Sequence, residues 1–128
     1  DKIIIYCRSL GSGLATRLAT THTPQALILE TPFYSLTDLV KNLYPFLPVS
    51  QILKYHFDNA SCLEKLKCPV FLIHGTKDEV VPYSSSTRLA RIGGNIKLFT
   101  LDGGTHNNLS DFPEFHSTLK NIFSTIGE

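Results

Sequence analysis

The chain has 128 residues, 42% hydrophobic and 18% charged, with a formal net charge of +1 at pH 7. That composition suits one globular domain with one core and excludes a disordered chain. A balance so near neutrality, with no long basic or acidic block, argues against nucleic acid or an anionic membrane as the main partner.

Four segments read as strands, in chain order: Lys2 to Tyr6 (KIIIY), Ala26–Glu30 (ALILE), Pro69 to His74 (PVFLIH) and Ile96–Leu101 (IKLFTL). The first three are almost continuously apolar, the habit of strands covered on both faces in parallel sheets. Helical patterns lie between and after them. Gly11–Thr21 is rich in Ala and Leu. The stretch from Tyr83 to Ile92 stops at Gly93 and Gly94. Phe115, Leu119, Ile122, Phe123 and Ile126 share one helical face. The alternation predicts an α/β fold with a mainly parallel sheet flanked by helices, in a single domain over residues 1–128.

Residues 31–66 interrupt that rhythm. They hold Pro32, Pro45 and Pro48 and many large apolar side chains, and two short helices fit at 36–43 and 50–57. One reading is a helical crossover that packs on the sheet. The other is a cap over a site, with Phe33 and Tyr34 lining an apolar substrate pocket.

Cys7, Cys62 and Cys68 are an odd set without a CxxC pair. They read as reduced thiols in a reducing, cytoplasmic setting, with no disulfide framework and no structural metal. Apolar runs of about five residues are far short of the ~20 needed to cross a bilayer. Neither a transmembrane segment nor a signal peptide is expected.

Open parallel sheets gather functional groups at the carboxyl ends of their strands. Ser9 follows the first strand, Asp78 the third (HGTKDEVVP) and His106 the fourth (LDGGTHNNL). The chemistry explains these types. A serine hydroxyl needs a base to become a nucleophile, and imidazole titrates near neutrality. A carboxylate on the far ring nitrogen fixes the tautomer and stabilises the imidazolium. Small residues two before and two after the serine let strand and helix approach; here these are Cys7 and Gly11, so G-x-S-x-G is matched as C-x-S-x-G. The N–H of Leu10, at the helix start, is a candidate oxyanion donor. Rivals stay open at this level. Ser9 also reads as a helix N-cap, Glu79 as the acid, and His22, His56, His74 or His116 as the base. Asn107 and Asn108 suit side-chain bonds that fix the histidine loop.

YCRSLGSGLA, CPVFLIHGTKDEVVP and GGTHNNL together resemble the nucleophile, acid and histidine motifs of the α/β-hydrolase family, in its depalmitoylase, acylpeptide hydrolase and dienelactone hydrolase-like branch. The order Ser, Asp, His is that family's order. The resemblance implies Ser9 as nucleophile, Asp78 as acid and His106 as base of a serine hydrolase. It would cleave esters, thioesters or amides through an acyl-enzyme, without a cofactor or metal, on a small-molecule, acyl or peptide substrate. It also implies that the chain matches the C-terminal half of the family's domain, with the second oxyanion donor elsewhere. The Lys2 to Tyr6 strand would then be an edge, covered by a missing N-terminal half or by another copy of the chain. The alternative from a different class is a truncated or degenerate hydrolase fragment that acts as a non-catalytic binding module.

Overall fold

The computed structural model describes residues 2–128. Four parallel strands form one sheet in the order β1-β2-β3-β4: β1 (Ile4–Arg8), β2 (Ala26–Glu30), β3 (Val70–Gly75) and β4 (Ile96–Leu101). Parallel strands need crossovers, and helices supply them. α1 (Gly11–Thr21) joins β1 to β2, and α5 (Tyr83–Ala90) joins β3 to β4. α6 (Pro113–Gly127) closes the chain.

Every residue of β2 and of β3 is buried, as their unbroken apolar runs require. Alternate side chains feed two cores. Leu27, Leu29, Val70 and Leu72 pack with Ala15, Ala19, Leu63 and Leu89 on one face. Ala26, Ile28, Phe71 and Ile73 pack with Leu109, Phe115 and Ile122 on the other. β1 pairs Ile4 with Ala26 through Arg8 with Glu30. The first strand thus runs two residues later than its apolar pattern suggests, because pairing with β2 sets its ends.

The excursion between β2 and β3 holds three short helices: α2 (Leu36–Leu43), α3 (Val49–Ile52) and α4 (Asn59–Glu64). A helix over 50–57 does not form. It stops after one turn, and Asp58 caps a new helix by accepting the Ser61 N–H at 3.1 Å. Ser35 caps α2 in the same way, accepting the Asp38 N–H at 3.0 Å. The neck of the excursion is closed by an isolated bridge between Ser35 and Asp58 and by buried Asn59. The Asn59 amide donates to the Phe33 carbonyl (2.8 Å) and the Ser12 hydroxyl (3.0 Å), and accepts from Thr16 (2.8 Å). A buried amide so fully satisfied fixes the excursion against α1.

Candidate active site

The parallel topology sends the ends of β1, β3 and β4 to one edge, and three polar side chains meet there. Ser9 leaves β1 with φ of 51°, in the left-handed region that a non-glycine residue seldom enters. Its N–H donates to the Glu30 carbonyl (2.8 Å), and its carbonyl accepts from Ser12 (3.0 Å), so both sides of the turn are held. Its side chain caps nothing: Oγ lies 3.0 Å from His106 Nε2. The other ring nitrogen, Nδ1, lies 2.9 Å from Asp78 Oδ2 and 3.1 Å from Oδ1. A carboxylate only accepts, so Nδ1 carries the proton and the neutral ring accepts the Ser9 hydroxyl at Nε2.

Asp78 is 9% exposed, whereas Glu79 beside it is exposed. Burial alone would raise the Asp78 carboxyl. Hydrogen bonds from His74 and His106, and from the Val81 and Val80 N–H groups, outweigh it and hold the group at about 2. The two backbone donors reach Oδ1 at 2.8 and 2.9 Å. Of the other histidines, His22 and His116 make their bonds at the surface, and His56 is exposed on the excursion. His74 is wholly buried.

Cys7 and Gly11 flank the serine turn as neighbours in space. A Cβ on Gly11 would meet Cys7 Cβ and Sγ at 3.7 Å, ordinary contact, so the cysteine fits where strand and helix approach. Leu10 lies just before α1 in helical conformation. Among the described residues its N–H has no hydrogen-bond acceptor within the chain.

Arg8, beside Ser9, reads from the sequence as structural rather than catalytic, and the structure gives it partners. Its Nη2 donates to the His106 carbonyl and to Asn107 Oδ1 (2.8 Å), while its Nε faces Glu30 Oε1 at 3.4 Å. Glu30 is buried and also accepts the Tyr6 hydroxyl at 2.6 Å. Burial and that bond push the Tyr6 phenol up. The network ties the histidine loop to the serine strand. Asn108 fixes the same loop by accepting the Thr105 N–H at 2.7 Å.

Phe33 does not present itself to a ligand. It is wholly buried, its ring beside the position a Gly13 Cβ would occupy, and it fills core. Tyr34 is half-buried, with the Arg88 guanidinium 3.7 Å above its ring. Arg88 also pairs with Asp38 at 3.2 Å, which pins α2 to α5. A groove of about 400 Å³, lined by Ile3, Ile5, Leu18, His22, Thr23 and Pro24, lies at the opposite end of β1 from Ser9. Among the described residues no group of three or more His, Cys, Asp or Glu is arranged to hold a metal ion, and no helix is long and apolar enough to cross a membrane.

The chain is 32% identical over 107 residues to an uncharacterised protein of Mycobacterium tuberculosis, covering 84% of this chain and 38% of that protein. It is 29% identical over 128 residues to alpha/beta hydrolase domain-containing protein 17B of Homo sapiens, covering 97% of this chain and 42% of the relative. The chain therefore spans about two fifths of the length of these curated relatives. An α/β hydrolase enzyme from the sediment metagenome of the Mar Chica lagoon superposes with a TM-score of 0.76 at 21% identity, over 99% of this chain and 63% of that one. Est1E from Butyrivibrio proteoclasticus, bound to ferulic acid, gives 0.76 at 19% identity, over 100% and 61%. No protein-family model matches the chain. Its four parallel strands and flanking helices are those of the α/β-hydrolase fold, and the chain matches part of that domain.

Proposed function

We propose that this chain carries the nucleophile, base and acid of a serine hydrolase that cleaves an ester, thioester or amide. The observation that carries the reading is the continuous chain Ser9 Oγ, His106 Nε2 (3.0 Å), His106 Nδ1, Asp78 Oδ2 (2.9 Å). In this reading Ser9 Oγ attacks the substrate carbonyl carbon as His106 Nε2 takes the hydroxyl proton. Asp78 holds the ring and stabilises the imidazolium. The tetrahedral oxyanion takes a hydrogen bond from the free Leu10 N–H, at the start of α1 where the helix dipole is positive. His106 returns the proton to the leaving alcohol, thiol or amine, and the acyl group remains on Ser9. Water, deprotonated by His106, then attacks the acyl-enzyme carbonyl carbon; the bond to Ser9 Oγ breaks, His106 returns the proton to Oγ, and the acid leaves.

The strained turn at Ser9 supports the same reading. A positive φ at a non-glycine residue costs roughly 1–3 kcal/mol and persists where surrounding structure over-determines it. The test is turnover of p-nitrophenyl acyl esters by the full-length protein. His106→Ala should reduce kcat by several orders of magnitude, and Asp78→Asn by up to ~10⁴. Turnover that survives His106→Ala would remove the proposed base and the mechanism with it.

A further inference from the structure

His74 ends β3 and is wholly buried, in a position where an apolar residue would pack more cheaply. Each of its ring nitrogens has a partner. Nε2 lies 2.9 Å from the Val81 carbonyl, which only accepts, so Nε2 carries a proton. The same N–H lies 3.2 Å from Asp78 Oδ2. Nδ1 hydrogen-bonds the Ser86 hydroxyl at 2.7 Å, and Ser86 is itself fully buried on α5. The edge of the ring meets the Tyr83 ring at 89°, with centroids 5.8 Å apart.

Two imidazoles therefore face Asp78 Oδ2: His106, hydrogen-bonded to it at 2.9 Å on the side of the serine, and His74, whose Nε2–H bonds the Val81 carbonyl and also lies 3.2 Å from Oδ2 on the side of the core. Oδ1 is fixed by the Val80 and Val81 N–H groups. Without His74 the carboxylate would retain Oδ1 donors and one Oδ2 donor, and could pivot about Oδ1.

We propose that His74, backed by Ser86, is a positioning residue for Asp78, holding the carboxylate oxygen that faces His106. This rests on the reading of Asp78 as the acid, and its role is to act through Asp78 without touching substrate. His74 heads the groups that lower the Asp78 carboxyl, which accords with a donor aimed at its charged form.

The test uses the full-length protein with His74→Leu, His74→Gln and Ser86→Ala. Glutamine can present an N–H where Nε2 stood, and leucine cannot. In His74→Leu, kcat should fall roughly ten- to a hundredfold, the scale of an ångström of misplacement, with KM little changed. Carboxyl-carbon NMR should show Asp78 titrating above about 2, nearer the ordinary aspartate range. His74→Gln should recover most of both, and Ser86→Ala should shift both in the same direction by less. The NMR measurement needs no turnover, so it separates this proposal from the catalytic reading. An Asp78 titration that stays in place in folded His74→Leu would overturn the proposal. If that variant does not fold, an unmoved Asp78 titration and unchanged kcat in Ser86→Ala would overturn it equally.

Discussion

Gly75 and Gly104 touch backbone to backbone: a Cβ on Gly75 would overlap the Gly104 carbonyl. Gly75 ends β3 before the Asp78 loop, and Gly104 opens the His106 loop, so their approach sets the distance between Asp78 and His106. The Lys77 N–H donates to the Gly104 carbonyl at 2.9 Å, which locks the two loops together. Leu109 closes the other side, against the position of a Gly104 Cβ. Gly75→Ala must therefore push the loops apart. We expect a loss of stability of about 1–3 kcal/mol, on the scale of overpacking a tight core, and a larger loss of ester turnover. Thermal unfolding and kcat measured together check it. Wild-type values for both would mean that the loops yield without cost.

Arg8 gives the second prediction. Its guanidinium bonds the histidine loop and neutralises buried Glu30 at once. Arg8→Gln leaves the Glu30 carboxylate without a cation, which should cost about 1–3 kcal/mol. The freed histidine loop should lower kcat more than it changes KM. Arg8→Lys keeps the charge but loses the planar fork, so stability should recover more than kcat. An Arg8→Gln variant with unchanged unfolding and kcat would show that the network is idle.

Acid stability follows from Asp78. Its folded value, about 2, lies below its ordinary 3.8, so the folded state favours the charged carboxylate. The contribution is fully present above pH 4 and is lost as pH falls towards 2. Its size is roughly 2 kcal/mol. Denaturant unfolding at pH 6 and pH 2.5 should show Asp78→Asn reducing stability at the higher pH and mattering much less at the lower. An equal effect at both would rule out the charged carboxylate as the stabilising form.

The β1 edge carries the fourth prediction. Among the described residues β1 pairs only with β2, and Ile3, Tyr6, Leu10, Leu14 and Leu18 are exposed around it. An open edge beside apolar surface is a template for pairing. We propose that further chain of the same protein, or a second copy, covers it, so the 128-residue chain alone should self-associate in sedimentation. A monodisperse monomer with slow hydrogen exchange along Ile4–Arg8 would contradict this.

The fold is largely legible in the sequence because β2 and β3 are buried on both faces, and no other environment tolerates ALILE and VFLIHG so well. Ser9, Asp78 and His106 stand out for a related reason: parallel strands point their ends one way, so residues just past them converge. The excursion is less readable. Its apolar residues follow no single period, and Asp58, a cap signal followed by NAS, marks the start of α4 more clearly than hydrophobicity does. Phe33 looks like a pocket residue by type, but Gly13 leaves room on α1 that the ring fills. The supporting contacts of Arg8 and the Gly75–Gly104 pair join segments far apart in the chain. No local pattern encodes such pairs, because they depend on how two loops pack.

We propose above all that Ser9 forms a covalent bond with an acyl-like electrophile, helped by His106. The most direct measurement is labelling of the full-length protein with a fluorophosphonate, followed by peptide mass spectrometry. Phosphonylation needs an activated serine, so a surface hydroxyl reacts far more slowly. We predict one adduct, on the peptide containing Ser9, absent in Ser9→Ala and strongly slowed in His106→Ala. An adduct on another residue, or labelling that persists in Ser9→Ala, would contradict the account.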